Sequence, residues 1–125
     1  MVQNMHADDL RELCLGFEGA AETFPFGPET SVFKVEGKIF ALSRLDGDPL
    51  TVSLKCEPEL AIQLRRDHEA IVGGYHLNKR HWNTVTVDGV PAQLLHDMVE
   101  DSYDLIVSRL PRGTQIRLGW STLER

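Results

Sequence analysis

Three short segments between residues 31 and 55 constrain the fold of this chain more than any other part of the sequence. Residues 31–35 and 50–55 alternate between two sets of side chains, which is typical of strands with two different faces, and residues 38–45 read as the return strand between them. Glu36-Gly37 and Asp46-Gly47-Asp48-Pro49 separate them. These connections favour tight turns and are too short for a helical crossover. The pattern therefore predicts a meander of three antiparallel strands.

Helical patterns flank this meander. Apolar residues recur at steps of three and four in residues 8–17, 58–67 and 91–110, and Pro58 and Pro91 suit helix starts. A short extended segment is predicted at 22–27, and a last strand at 82–87. The order is one helix, three or four strands, a helix, one or two strands and a helix. It predicts an α+β fold, an antiparallel β-sheet with flanking helices. We assign residues 1–112 to a single domain and residues 113–125 to a C-terminal tail.

Composition narrows the class of protein. The chain has 125 residues and a net charge of −6, from 13 Lys and Arg against 19 Asp and Glu. The electrostatic field of this net negative charge opposes binding to a polyanion except through a local basic patch. No apolar run approaches the roughly 20 residues that span a membrane, and the polar first residues do not read as a secretory signal. We therefore expect a cytoplasmic protein without a membrane partner, with Cys14 and Cys56 as buried free thiols.

The stretch 73–87, GGYHLNKRHWNTVTV, holds the densest group of basic, aromatic and amide side chains and contains no acid. As a nucleic-acid site, it would contact phosphates with Lys79 and Arg80 and stack bases on an aromatic ring. The further candidate residues in this stretch are Asn78, His76, His81 and Asn83. As a structural element, it would bury Tyr75 and Trp82 in the core and use Asn78 to hold the turn. Both interpretations remain open from the sequence.

A second basic group lies on the predicted meander. Lys34, Lys38, Arg44 and Lys55 could line one surface and form a binding wing. Lysines on strands also protect sheet edges against aggregation, which is the alternative interpretation.

Motifs for metal binding or catalysis are absent from the sequence. His76 and His81 are five residues apart and so point to different faces of a strand or helix, and the cysteines are not spaced as ligands. The acidic residues between 97 and 104 read as a solvated helix face. Ser102 falls on the apolar stripe, where we expect it to be packed or bonded back to its own helix. We expect no metal, no cofactor and no enzymatic activity.

Five segments carry a family resemblance: FPFG at 24–27, FKVEGKIF at 33–40, VSLKCEPEL at 52–60, YHLNKRHWNTV at 75–85 and DSYDLIVSRL at 101–110. They fall in the order found in the MmcQ/YjbR family, small bacterial proteins catalogued as DNA-binding, and the chain resembles that family from about residue 8 to residue 112. The resemblance implies an α+β fold similar to the frataxin-like CyaY proteins or to secretion chaperones.

The resemblance also implies weak, non-specific DNA binding through a double-wing arrangement. Its centre would be Lys79, Arg80 and Asn78, and the supporting residues would be Lys34, Lys38 and Lys55. The alternative is a protein-interaction module that engages a protein partner through its sheet and its C-terminal helix, without any role in nucleic-acid binding. The sequence leaves the oligomeric state and any target open.

Overall fold

The computed structural model describes residues 5–120. The helices are α1 (Ala7–Leu15), α2 (Pro58–Asp67), α3 (Ala92–Val107) and α4 (Arg112–Arg117). The strands are β1 (Ala20–Thr23), β2 (Ser31–Val35), β3 (Lys38–Ser43), β4 (Thr51–Lys55), β5 (Ile71–Gly73) and β6 (Trp82–Thr86), and a short 3-10 turn (Val87–Gly89) follows β6. The strands form one sheet in the order β1-β2-β3-β4-β6-β5, with every neighbouring pair antiparallel. The predicted α+β fold with an antiparallel sheet is confirmed.

The helices pack on one face of this sheet. Helix α3 lies against β2, β3 and β4, α2 lies against β5 and β6, and α1 lies against β1. The core between the two layers is made by the strand residues that point to the helices, such as Phe33, Leu54 and Val85, together with Leu95 and Val99 of α3. We call the opposite side the open face. By register and alternation, it carries Ala21, Thr23, Val32, Lys34, Ile39, Leu42, Thr51, Ser53, Lys55, Val72, Trp82, Thr84 and Thr86. In the middle of this face, Val32 and Ser53 are buried.

A bulge interrupts the alternation predicted for β3. The pairing of β2 with β3 shifts after Phe33, so that Phe40 has no partner and lies in the core beside Ala41. Ser102 of α3 bridges this irregularity, because its hydroxyl donates to the Phe40 carbonyl (2.6 Å) and accepts from the Lys55 amide (2.9 Å). Of the two alternatives expected for Ser102, packing is the one observed: the residue is fully buried, and its hydroxyl bonds to the sheet instead of to its own helix.

The segment that we assigned to a tail is structured as far as residue 120. Helix α4 is followed by Leu118, which is buried against Gly19 and Val35. Trp120 packs beside the core and donates from its indole nitrogen to the Asp104 carboxylate at 2.8 Å. This part of the segment therefore contributes to the core of the domain. The rest of the assigned tail, residues 121–125, and the first four residues of the assigned domain lie outside the described part of the chain.

Candidate nucleic-acid interface

The loop 74–81, between β5 and β6, is closed by its own backbone. Gly74 donates to the Trp82 carbonyl (2.8 Å), and Trp82 donates to the Asn78 carbonyl (3.0 Å). The side-chain oxygen of Asn78 accepts from the Arg80 amide at 2.9 Å, the local bond by which asparagine stabilises turns. Asn78 therefore holds the turn, as the structural interpretation predicts, and its side-chain oxygen is already engaged.

Asn83 and Arg65 fix this loop to α2. Asn83 is 0% exposed, and its amide nitrogen donates to the Ala61 carbonyl at 3.4 Å. Arg65 donates to the Asn83 side-chain oxygen (3.1 Å) and to the Lys79 carbonyl (2.7 Å). Asn83 thus has no surface to offer a nucleic acid, contrary to its place among the candidates. Arg65 was missed by the sequence analysis, because an arginine in the last turn of a helix usually just complements the helix dipole.

The expectation that Tyr75 is a core residue is wrong, because its side chain is 64% exposed. The cause is the hydrogen bond from the Tyr75 amide to the Thr84 hydroxyl (3.0 Å), which holds the backbone of Tyr75 against the open face and leaves the ring outside. The Tyr75 ring lies 4.0 Å from the His76 ring. Trp82 is half-buried on the open face opposite Lys55, so it does not belong to the core beneath the helices either.

Lys79 lies on the other side of the loop. Its stem packs over Gly73, where an added Cβ would come within 3.0 Å of the Lys79 Cγ, and its ammonium donates to the Gly74 carbonyl at 3.3 Å. Gly73 pairs with Asn83, whose side chain points to α2, so this stem lies towards the helix layer. Arg80 is exposed, while His81 is half-buried, and its carbonyl accepts from the Cys56 amide at 2.8 Å. The basic and aromatic parts of the loop are therefore separated.

Two of the meander lysines come together on the open face. The residues Val32, Leu42, Ser53 and Thr84 form one continuous row across β2, β3, β4 and β6. Lys34 and Lys55 each lie two positions beyond this row, at the same end of the sheet. Lys34 pairs with Ile39, and Lys55 pairs with Trp82. The sheet register therefore places two ammonium groups and a half-buried indole at one end of the open face, which we call the Lys34–Trp82 end.

The other two basic residues of the predicted wing lie elsewhere. Lys38 pairs with Val35, a core residue, so it does not share the face of Lys34. Arg44 follows Leu42 by two residues and lies at the end of the open face opposite Lys34 and Lys55. The single surface predicted for these four residues is thus only partly present.

Charge is separated across the sheet. The strand positions on the open face contain no carboxylate. Four acidic side chains lie on α3, on the opposite side of the sheet, where burial and then the neighbouring Asp104, Asp97 and Glu100 raise the pKa of Asp101. The strand positions of the open face therefore carry none of the acids that give the chain its net charge of −6.

Potential metal ligands are scattered over the fold. Across residues 5–120, no three histidine, cysteine or carboxylate side chains are grouped as metal ligands. Over the same range, every helix is too short or too polar to span a lipid bilayer.

Comparison with known proteins agrees with this fold. The YjbR family model matches residues 15–105. The uncharacterized protein YbdF of Escherichia coli is 36% identical over 118 residues, which cover 93% of this chain and 95% of YbdF. The uncharacterized protein YjbR of the same species is 35% identical over 108 residues, which cover 86% and 92%. The crystal structure of Deinococcus radiodurans protein DR2400, with family-model domain DUF419, superposes with a TM-score of 0.87 at 43% identity over 94% of this chain and 90% of that one. The chain belongs to the YjbR family.

Proposed function

We propose that this protein binds nucleic acid on the open face of its sheet, with its centre at the Lys34–Trp82 end. The observation that supports this most is the pairing of Lys55 with Trp82 on a face whose strand positions hold no carboxylate. Ammonium groups bind phosphates through a salt-dependent interaction, and aromatic rings stack bases with about 1–3 kcal/mol per base. At the Lys34–Trp82 end, ammonium groups and an aromatic ring are adjacent, whereas in the loop 74–81 the basic and aromatic side chains lie on different sides.

The acidic character of the chain does not oppose this proposal. The carboxylates of α3 project from a helix about 10 Å in diameter that packs on the other face of the sheet. The Debye length at physiological ionic strength is about 8 Å. A phosphate at Lys34 or Lys55 is therefore separated from the α3 carboxylates, and the nearest acids along the chain are Glu36 and Glu57. Arg80, which is exposed, would add a secondary contact at the edge.

The test compares two double variants with the same change in charge. We expect labelled oligonucleotides, followed by fluorescence anisotropy at two salt concentrations, to bind the wild type more weakly as salt rises. Lys34→Glu/Lys55→Glu should lower the slope of log K against log salt by about 0.7–0.9 for each phosphate that is no longer neutralised. The control, Lys79→Glu/Arg80→Glu, should lose less affinity.

Two results would contradict the proposal. The first is the absence of binding at low salt by a protein that circular dichroism shows to be folded. The second is an equal loss of affinity in both double variants, since this would indicate a response to net charge rather than to the open face.

A second candidate function, a protein-interaction module, is favoured by a cleft of about 360 Å³ beside α3. Leu60, Leu105 and Trp120 supply its apolar lining, and Asp101 and Asp104 lie at the same cleft. A partner bound there would need an apolar group next to a basic one. Its binding would be insensitive to both double variants, which separates the two functions in one set of proteins.

A further inference from the structure

A groove of about 440 Å³ lies on the open face at the end opposite Lys34 and Lys55. Leu42 and Ser53 of the central strands form its floor. Its walls come from two loops: Phe26 and Thr30 from the β1–β2 connection, and Tyr75 with its neighbours from the loop 74–81. The volume is within the range of about 300–1,000 Å³ that small-molecule sites occupy.

The walls are unusual in presenting aromatic rings to solvent. Phe26 is 66% exposed and Tyr75 is 64% exposed, although both have the apolar area that normally places a side chain in the core. They belong to loops that are far apart in sequence and that meet only across the open face. The pair therefore offers apolar surfaces on both sides of a flat ligand.

The polar groups of the groove indicate the rest of the ligand. Thr30, Ser43 and Ser53 are among its lining residues, Arg44 is its cation, and none of the lining residues is a carboxylate. The Ser43 hydroxyl donates to the Thr51 carbonyl and the Ser53 hydroxyl is bonded to that of Thr84. Such a lining suits a planar molecule with polar edges and a negative charge. A nucleotide has this combination, in which the base takes the aromatic surfaces and the phosphate takes the guanidinium.

Arg44 is available for an anion at little cost. It lies 3.6 Å from the Glu29 carboxylate and 3.8 Å from the Asp46 carboxylate, and all three side chains are at least 60% exposed. Exposed pairs of this kind contribute only about 0–1 kcal/mol each. A bidentate phosphate contact, which is stronger, can replace them.

The backbone at His76, next to the Tyr75 wall, has an unusual conformation. His76 has a φ of 58°, in the left-handed region that is uncommon for residues other than glycine. The His76 imidazole lies beside the Tyr75 ring, with the ring centroids 4.0 Å apart. Local strain of this kind is found where a loop positions side chains for a ligand.

We propose that this groove binds the base of one unpaired nucleotide and that Arg44 contacts its phosphate. This inference rests on the proposed function, because the strand that leaves the groove would continue along the open face to Lys34 and Lys55. It adds a preference: a base in a duplex must first be unstacked and unpaired, which costs a few kcal/mol. Single strands should therefore bind more tightly than duplexes of the same length.

The experiment uses the full chain labelled with 15N, titrated with 5′-mononucleotides and, separately, with inorganic phosphate, and followed by the amide resonances. We expect mononucleotides to shift the amides of Leu42, Arg44 and Tyr75, and phosphate alone to shift Arg44. Phe26→Ala and Tyr75→Ala should weaken mononucleotide binding about 5- to 150-fold, the range that corresponds to about 1–3 kcal/mol of stacking. Phe24→Ala is the matched control, because Phe24 is an exposed aromatic of the same loop that does not line the groove.

The outcomes separate this inference from the proposed function. If oligonucleotides bind, lose affinity in Lys34→Glu/Lys55→Glu and are unaffected by Tyr75→Ala and Phe26→Ala, the groove assignment is overturned and the proposed function stands. A duplex preference would likewise overturn the groove alone. If no oligonucleotide binds, both the proposed function and this inference are wrong. Any change that a mononucleotide causes in the amide resonances would then indicate a site for free nucleotides.

Discussion

Replacement of Ser102 by alanine tests how α3 and the sheet are joined. The pairs Ala41–Leu54 and Leu42–Ser53 define the register of β3 and β4, so the next ladder bond would run from the Lys55 amide to the Phe40 carbonyl. The Ser102 hydroxyl lies between these two groups, at 2.9 Å from the nitrogen and 2.6 Å from the oxygen. One helix hydroxyl therefore takes the place of a bond that the bulge has opened.

The expected loss follows from this geometry. Two hydrogen bonds in series hold the amide and the carbonyl too far apart to bond directly, and Ser102 is fully buried, so bulk water does not reach them. A buried polar group that loses its partner costs about 1–3 kcal/mol. Because two such groups lose their partner, Ser102→Ala should lower the free energy of unfolding by about 2–6 kcal/mol, a large share of the roughly 5–15 kcal/mol typical of a domain.

Urea denaturation followed by circular dichroism measures this loss through the midpoint, with an unchanged m-value. The control is Ser108→Ala, because Ser108 is exposed and its hydroxyl bonds only to the Leu105 carbonyl of its own helix. That variant should change stability by less than about 0.5 kcal/mol. A loss below about 0.5 kcal/mol in Ser102→Ala would refute the reasoning, since it would mean that the strands close the gap by themselves.

Three further predictions concern groups with perturbed pKa or backbone strain. Burial and neighbouring carboxylates raise the pKa of Asp101, so its negative charge opposes folding above that pKa. Asp101→Asn should therefore stabilise the protein at pH 7 by less than about 1 kcal/mol, and urea midpoints should show that this gain vanishes below about pH 4. Burial is the largest cause that raises the pKa of Cys14 to about 12 and that of Cys56 to about 11. Iodoacetamide at about pH 8 should therefore label neither thiol faster than the rate at which the protein opens, which hydrogen exchange measures. Because His76 has a positive φ, which glycine adopts without strain, His76→Gly should raise the free energy of unfolding by up to about 1 kcal/mol in urea titrations and yet weaken mononucleotide binding. A less stable variant would contradict the proposed strain.

The meander could be predicted from the sequence because its turns are local. Residues 31–35 were predicted with the bounds of β2, and the first residue of β3 was correct, since Glu36-Gly37 leaves few ways to connect two alternating segments. The bulge at Phe40 could not be predicted. The carbonyl of Phe40 bonds to a hydroxyl 62 residues away in the chain, and the local residues Ile39 to Leu42 are all apolar, so they do not mark the bulge.

The candidate site was harder to predict, because it depends on which face of the sheet each side chain joins. Asn83 could have been excluded: it alternates in phase with Val85 and Val87, so the same pattern that predicted the strand also predicts its burial. The exposure of Tyr75 had no such indication. It follows from a hydrogen bond to Thr84, a contact that only the pairing of β5 with β6 creates.

The strand order is what makes the open face a candidate surface. If the strands followed chain order, β5 would lie between β4 and β6, and Lys55 would face the end of a three-residue strand that finishes in glycine. Instead, the chain passes through α2 and β5 to the edge of the sheet and returns as β6 beside β4. This return brings Trp82 opposite Lys55 and, two positions further, Thr84 opposite Ser53, where its hydroxyl also anchors Tyr75. One topological step therefore connects both ends of the surface, and under the proposed function a ligand strand bound at Lys55 would run along β4 and β6 towards the groove.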